Sequence, residues 1–207
     1  MQFSLWLALV GAGALISFTP GAGAINTMSN SLNSGFRRSI WGILGQQAAL
    51  VVHIVIVALG VGLLVASSPV AFNIIRFAGA GYLVYLGIRQ FLAKPVVDED
   101  RAQALRDEPR WSMFRRGLWV NLLNPKAIVF FLAFLPQFIR VDQPMLPQYV
   151  IAAATVVVID ILVMWLFFAG TARSFQRFTR DAHGQRVLNR VFGVLFVGVG
   201  ILLVVIH

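Results

Sequence analysis

The chain reads as an all-α integral membrane protein: six transmembrane helices arranged as two inverted three-helix repeats, with the first and fourth helices broken. Three observations carry this reading. The 207 residues are 58% hydrophobic and 12% charged, with a mean hydropathy of +0.80, well above the balance of a soluble domain. At ~20 residues per crossing, apolar stretches of spanning length recur often enough for about six helices. Two of those stretches are interrupted near the middle by proline, at Thr19-Pro20-Gly21 and at Asn124-Pro125-Lys126.

The first apolar stretch runs from Phe3 to Leu32. Ala22-Gly23-Ala24 resembles a signal-peptide cleavage site, but no Lys or Arg precedes the apolar run and the run is too long for a signal. The second and third stretches cover Ser39 to Ala66 and Val70 to Ala93. A mixed-charge connection, Lys94 to Arg116, follows with Asp98-Glu99-Asp100 inside it and Trp111 near its end as an interfacial anchor. It divides one transmembrane domain, residues 1–207, into halves of about 1–93 and 110–207. The remaining stretches are Gly117 to Phe138, Pro147 to Thr171 and Val191 to Ile206.

Basic residues set the orientation. Of the 17 Lys and Arg, all but Arg76, Arg140 and Lys126 fall in the first, third and fifth connections or beside them. The positive-inside rule makes those connections cytoplasmic and both termini periplasmic. Topology thus accounts for the net charge of +9, and the division of the arginines among short membrane-flanked loops speaks against nucleic-acid binding. Zero cysteines exclude disulfides, thiolate nucleophiles and Cys-ligated metals.

The halves echo each other. Pro20 and Pro125 stand at nearly the same separation as His53 and Asp160, and Arg76-Phe77-Ala78-Gly79 opens the third stretch as Arg190-Val191-Phe192-Gly193 opens the sixth. An odd number of helices per half gives opposite orientations. Paired broken helices at corresponding positions of two halves point to a transporter site at the bilayer midplane, because backbone freed at membrane depth persists only where it lines a cavity or is covered by protein.

The residues around the breaks define that candidate site. After Pro20, Gly21, Ala22 and Gly23 allow close backbone approach, and after Asn124 the chain resumes with Pro125 and Lys126. Helix starts carry partial positive charge and unpaired N–H groups, which suit a carboxylate. Asn26, Asn30 and Asn33, with Ser29 adjacent, fall on one helical face, either lining a hydrated vestibule or bonding helix to helix. Asp160 lies in an apolar run, where an acid costs ~2.5 to 3.5 kcal/mol to insert, so its presence argues for substrate or proton binding. Lys126 either pairs with Asp160 or faces a substrate carboxylate. His53 handles a proton or donates a structural hydrogen bond. The substrate-site residues are therefore Pro20, Gly21, Ala22, Gly23, Asn26, Asn124, Pro125, Lys126 and Asp160, with Asp160 and His53 as proton carriers.

Competing chemistries lack their patterns. Gly11-Ala12-Gly13 and Gly79-Ala80-Gly81 do not complete a dinucleotide fingerprint, and close helix packing explains them. One Asp and one His within the apolar stretches are too few for a cation cage, and no Gly-x-Ser-x-Gly elbow occurs. Neither an enzyme nor a cofactor is expected.

Two long motifs resemble a known family. Ser17-Phe18-Thr19-Pro20-Gly21-Ala22-Gly23-Ala24-Ile25-Asn26-Thr27-Met28, followed by Asn33-Ser34-Gly35-Phe36-Arg37, is similar to the first-helix signature of the LysE/RhtB superfamily of bacterial amino-acid exporters. Asn121-Leu122-Leu123-Asn124-Pro125-Lys126-Ala127, running into Leu135-Pro136-Gln137-Phe138, looks like its second signature, and Ala78 to Gly87 is also similar. Many members carry a second proline where this chain has Ala22, and the version here looks most like the branch that exports homoserine and homoserine lactone. The resemblance implies inner-membrane export of a small neutral amino acid or its lactone, threonine being a further candidate. Proton antiport is the expected drive, since an inward proton releases ~2.3 kcal/mol per 100 mV. The lipid bilayer and the substrate are the implied partners, with a homodimer as the default assembly. An exporter of another solute or of metal ions, or an accessory membrane protein, are the alternatives.

Overall fold

The computed structural model describes residues 1–93, 108–140, 142–174 and 182–205, and contains helices and no strand among them. The helices are α1 (Phe3–Phe18), α2 (Ala22–Ser34), α3 (Ile40–Ser67), α4 (Pro69–Phe91), α5 (Arg110–Leu122), α6 (Pro125–Val129), α7 (Met145–Leu162) and α8 (Ala182–Val205). α6 continues through a π segment, Phe130–Phe134, and a 3-10 turn, Leu135–Phe138; α7 continues through a π segment, Val163–Ala169. Of the third connection, Lys94, Asp98 to Asp100, Arg101 and Arg106 lie outside the described residues, as do Arg177, Arg180 and His207.

Two helices, Ile40–Gly60 and Met145–Ser174, are long and apolar enough to cross a bilayer. Two bent pairs raise the number to as many as four among the described residues: α1 with α2, at 58°, and α5 with Pro125–Phe138, at 54°. The breaks fall where proline and its neighbours remove N–H donors and let the chain extend, with Thr19 and Asn124 both in β-like conformations. α5 begins seven residues before the apolar stretch does, because Pro109 starts it and Trp111 and Phe114 stack beside the arginines of an amphipathic first turn. α8 likewise starts upstream, at Ala182. α2 ends at Gly35, whose φ of 92° is open to glycine and costly for other residues.

The packing is reciprocal. α1 lies on α7 and α2 on the π segment after it, while α3 packs along α5 and touches the π and 3-10 segments after α6; α4 packs along α8. Glycines set the distances of two of these contacts. A Cβ on Gly45 or Gly117 would overlap the backbone carbonyls of Phe114 or Gly42, so α3 and α5 touch backbone to backbone. Between α4 and α8, a Cβ on Gly87 or Gly193 would lie 2.7 Å from the other's carbonyl oxygen. By contrast, a Cβ on Gly13 of α1 would meet Ile159 of α7 at an ordinary 3.7 Å.

Polarity is inverted relative to a soluble protein. Leu59, Val70, Ile74, Val150, Val158 and Leu166 are exposed, whereas Gln46, Gln47, Gln148 and Asp160 are buried. An outer surface of large aliphatic side chains over a polar interior fits a hydrocarbon surround. The core itself holds a column of phenylalanines, with Phe130 stacked on Phe134 at 5.0 Å and Phe134 tilted against Phe138 at 5.0 Å. At the α7 entry, Gln148 accepts from the Arg140 amide and donates to the Arg140 and Pro144 carbonyls, tying the turn to the helix. Arg140 also grips both carboxylate oxygens of Asp142, which holds that acid below its usual pKa.

Candidate functional site

Each break leaves carbonyls at the end of one helix and N–H groups at the start of the next without helical partners. At the first, Thr19 donates both its amide (3.2 Å) and its hydroxyl (2.8 Å) to Leu15 O. The ammonium of Lys126, which comes from the other half of the chain, donates to Ile16 O at 3.0 Å and Thr19 O at 2.6 Å. A cation at a helix C-terminus satisfies the orphan carbonyls and complements the dipole. Two of the three ammonium protons are thereby used and one is left for the interior. α2 then starts at Gly21 with no side-chain cap.

At the second break, Asn124 accepts from the Lys126 amide at 3.1 Å as the N-cap of α6, with Pro125 in the first helical position. The imidazole Nε2 of His53 lies 3.2 Å from Leu122 O, at the end of α5, and the ring stacks on Phe131. Because the acceptor is a carbonyl, the proton of this contact sits on Nε2; Nδ1 is buried with no partner.

Asp160 is buried between the breaks. Ser17 donates to its Oδ1 at 2.9 Å and Gln47 to its Oδ2 at 2.7 Å, so each oxygen is hydrogen-bonded as a buried carboxylate requires. Lys126 and Asp160 do not form an ion pair within 4.0 Å: the ammonium is held by α1 carbonyls and the carboxylate by Ser17 and Gln47. Of the two roles the sequence left open for Lys126, direct pairing is not the one adopted here.

A cavity opens where these groups meet. Gly23, Asn124, Lys126 and Asp160 line it together with Ser17, Gln46 and Asn121, and Phe130, Phe131 and Met164 form apolar wall. A polar rail supports that lining. Gln46 donates to Gly23 O and Thr27 Oγ1, both at 3.1 Å; Asn121 donates to Gln46 O at 3.0 Å; Asn124 donates to Asn121 at 3.3 Å.

Thus four residues singled out in the sequence reach the cavity. Pro20, Gly21 and Pro125 shape the breaks without lining it, Ala22 is exposed, and Asn26 is buried farther along α2. His53 sits behind Phe131, outside the lining. Asn33 bonds Ser29 on its own helix instead of joining Asn26 and Asn30. Sequence reasoning gave no role to Ser17, Gln46, Gln47 or Asn121. The signal was available: Gln46-Gln47 is an adjacent amide pair inside an apolar stretch, and Asn121 stands one helical turn before Asn124.

A lipid-facing helical bundle with an internal polar cavity at two helix breaks defines a membrane carrier of small solutes. The chain belongs to the LysE family: residues 14–206 match the model described as LysE type translocator. It is similar to the homoserine/homoserine lactone efflux protein of Salmonella typhimurium, at 42% identity over 98% of this chain and 97% of that one. Uncharacterized membrane proteins of Vibrio cholerae (37% identity, 98% of each chain) and Bacillus subtilis (30%, over 94% of this chain and 96% of the other) are also similar. No solved structure matches. The family is one of transporters, and the chain is a membrane protein and not an enzyme.

Proposed function

We propose that this translocator exports small neutral amino acids or their derivatives, homoserine and homoserine lactone first among them and threonine next, in exchange for protons. The carrying observation is a cavity lined by one carboxylate and one ammonium that are not bonded to each other. A zwitterion complements that arrangement: its amino group replaces a donor on Asp160, and its carboxylate takes the remaining Lys126 proton and the uncapped N–H groups at the start of α2. The printed activity of the Salmonella relative supports the substrate class. A lactone offers Asp160 the same amino group and offers Lys126 only a carbonyl, so it makes one charged contact in place of two. Proton exchange follows if Asp160 is ionised when it holds substrate and protonated when it releases it. His53, with its free Nδ1, is a further titratable group near the path.

The chain is read as one transporter domain of two inverted three-helix halves. Reciprocal packing supports this: α1 and α2 lie on the α7 helix of the other half, α5 and α6 on α3, and the third helices on each other. The family supports an inner-membrane location, the positive-inside rule favours periplasmic termini, and a homodimer is the assembly to test first. Release of labelled homoserine, threonine, leucine and lysine from loaded proteoliposomes tests the function. Homoserine should leave fastest and be driven by an inward proton gradient; export of lysine alone, or of none, would sink the reading.

A further inference from the structure

Away from the cavity, at the end of the bundle where the arginines gather, four buried N–H groups have no acceptor: the amides of Asn26 and Asn30 on α2, and the Nε groups of Arg38 and Arg116. Asn26 and Asn30 are 7% and 1% exposed, and both amide nitrogens converge on the backbone at Gly42. Arg116 donates to the Asn30 side-chain carbonyl and forms a 2.6 Å ion pair with Glu108, whose own backbone carbonyl accepts from Arg38 at 2.9 Å. Two guanidinium groups therefore converge on one glutamate, Arg116 on its carboxylate and Arg38 on its backbone carbonyl. Every unmet group in the cluster is a donor, so the missing partner is an acceptor, and the surplus positive charge makes it an anion. The rail already described connects the two places: Thr27, one residue beyond Asn26, bonds Gln46, and Gln46 with Asn121 lines the cavity.

We propose that this α2–α3–α5 seam is a second carboxylate-binding site, on the cytoplasmic approach to the cavity, where Glu108 occupies the place an incoming substrate carboxylate takes. The entering carboxylate displaces Glu108 from Arg116 and accepts from the asparagine amides; the Arg116–Glu108 pair then re-forms behind it. The proposal rests on the export reading for the nature of the ligand. It also separates the two expected cargoes, because homoserine carries a carboxylate and its lactone does not.

Uptake into inside-out vesicles, which present this end to the medium, tests it with labelled homoserine and homoserine lactone. Arg116→Gln should raise the KM for homoserine by about tenfold or more and leave that for the lactone within about twofold. Glu108→Gln, which frees Arg116, should leave the homoserine KM at or below that of wild type. Equal losses for both solutes, or a Glu108→Gln defect as large as that of Arg116→Gln, marks a pair that only fastens α5 to α2 and overturns the proposal. If wild type carries neither solute the export reading falls, and the site is judged by titrating the purified protein with acetate. A rise in melting temperature that Arg116→Gln abolishes upholds the site; no rise in wild type overturns it.

Discussion

The two breaks bend the chain by nearly equal angles, 58° and 54°, yet they are finished with different chemistry. At the first, a lysine from the opposite half closes α1, a buried carboxylate stands beside it on Ser17, and α2 begins uncapped. At the second, an imidazole closes α5 and an asparagine caps α6. The correspondence extends to register: Ser17 and Leu122 are separated as Pro20 and Pro125 are, and the residues that touch them, Asp160 and His53, are the matching pair on α7 and α3. One backbone device has been built twice, once with an uncapped helix start beside a buried carboxylate, and once with an asparagine cap that closes the joint while also lining the cavity. Duplication of a shape therefore does not imply duplication of a role, and the first break is the better place to look for chemistry.

The sharpest test is Asp160→Asn. It keeps the size and the hydrogen-bonding reach of the side chain while removing its charge, so homoserine transport should fall by at least about 30-fold, the equivalent of about 2 kcal/mol, and lose its dependence on an imposed pH gradient. Gradient-driven transport at the wild-type rate would erase the distinction between the breaks. Lys126→Met should also abolish most homoserine transport and, by stripping the α1 carbonyls of their donor, destabilise the protein by about 1 to 3 kcal/mol in thermal or chemical unfolding in detergent. Because Lys126 and Asp160 have separate hydrogen-bond partners yet line one cavity, the double variant should show a coupling of about 0.5 to 1 kcal/mol, less than a contact ion pair gives. Strong coupling would show that the two charges meet in another conformation.

Smaller effects should separate the prolines. Pro20→Ala removes the main restraint on an uncapped break and should slow transport by about tenfold through misplacement of Ser17 and α2. Pro125→Ala should stay within about twofold, since the Asn124 cap still starts α6; equal defects would make the breaks mechanically alike. The least effect is expected from His53→Leu, which forfeits one hydrogen bond to Leu122 O, about 1 kcal/mol of stability, while transport and its pH drive persist. Loss of the pH drive in that variant would give the second break a chemical role after all.

The sequence was most informative where polar residues interrupt apolar runs. Proline and asparagine at membrane depth have few structural explanations, so both breaks, Asp160 and Lys126 could be singled out without coordinates. What could not be read was direction. Lys126 was placed at the site, but its attachment to α1 carbonyls depends on which helix end lies within reach, a matter of tertiary packing. The π segments after α6 and α7 have no composition of their own, since Phe130–Phe134 and Val163–Ala169 look like any apolar helix. Gln46, Gln47 and Asn121 carry no such signal, because an amide in a membrane helix serves packing as readily as binding. Helix ends are not legible where amphipathic turns extend past the apolar stretch, as at Arg110.

The glycine contacts divide the bundle mechanically. Where α3 meets α5 at Gly42, Gly45 and Gly117, backbone rests on backbone, and where α4 meets α8 at Gly87 and Gly193 the two backbones touch with the Phe91 and Val197 side chains packed beside them. Each pair is in effect a single stiff beam. α1 and α7 meet through side chains, aliphatic around Gly13, where there is room for a methyl group, and hydrogen-bonded at Trp6–Thr155 and Ser17–Asp160. The two bends and this looser seam, which carries Ser17 and Asp160, are therefore where a rearrangement of the bundle would meet the least backbone resistance.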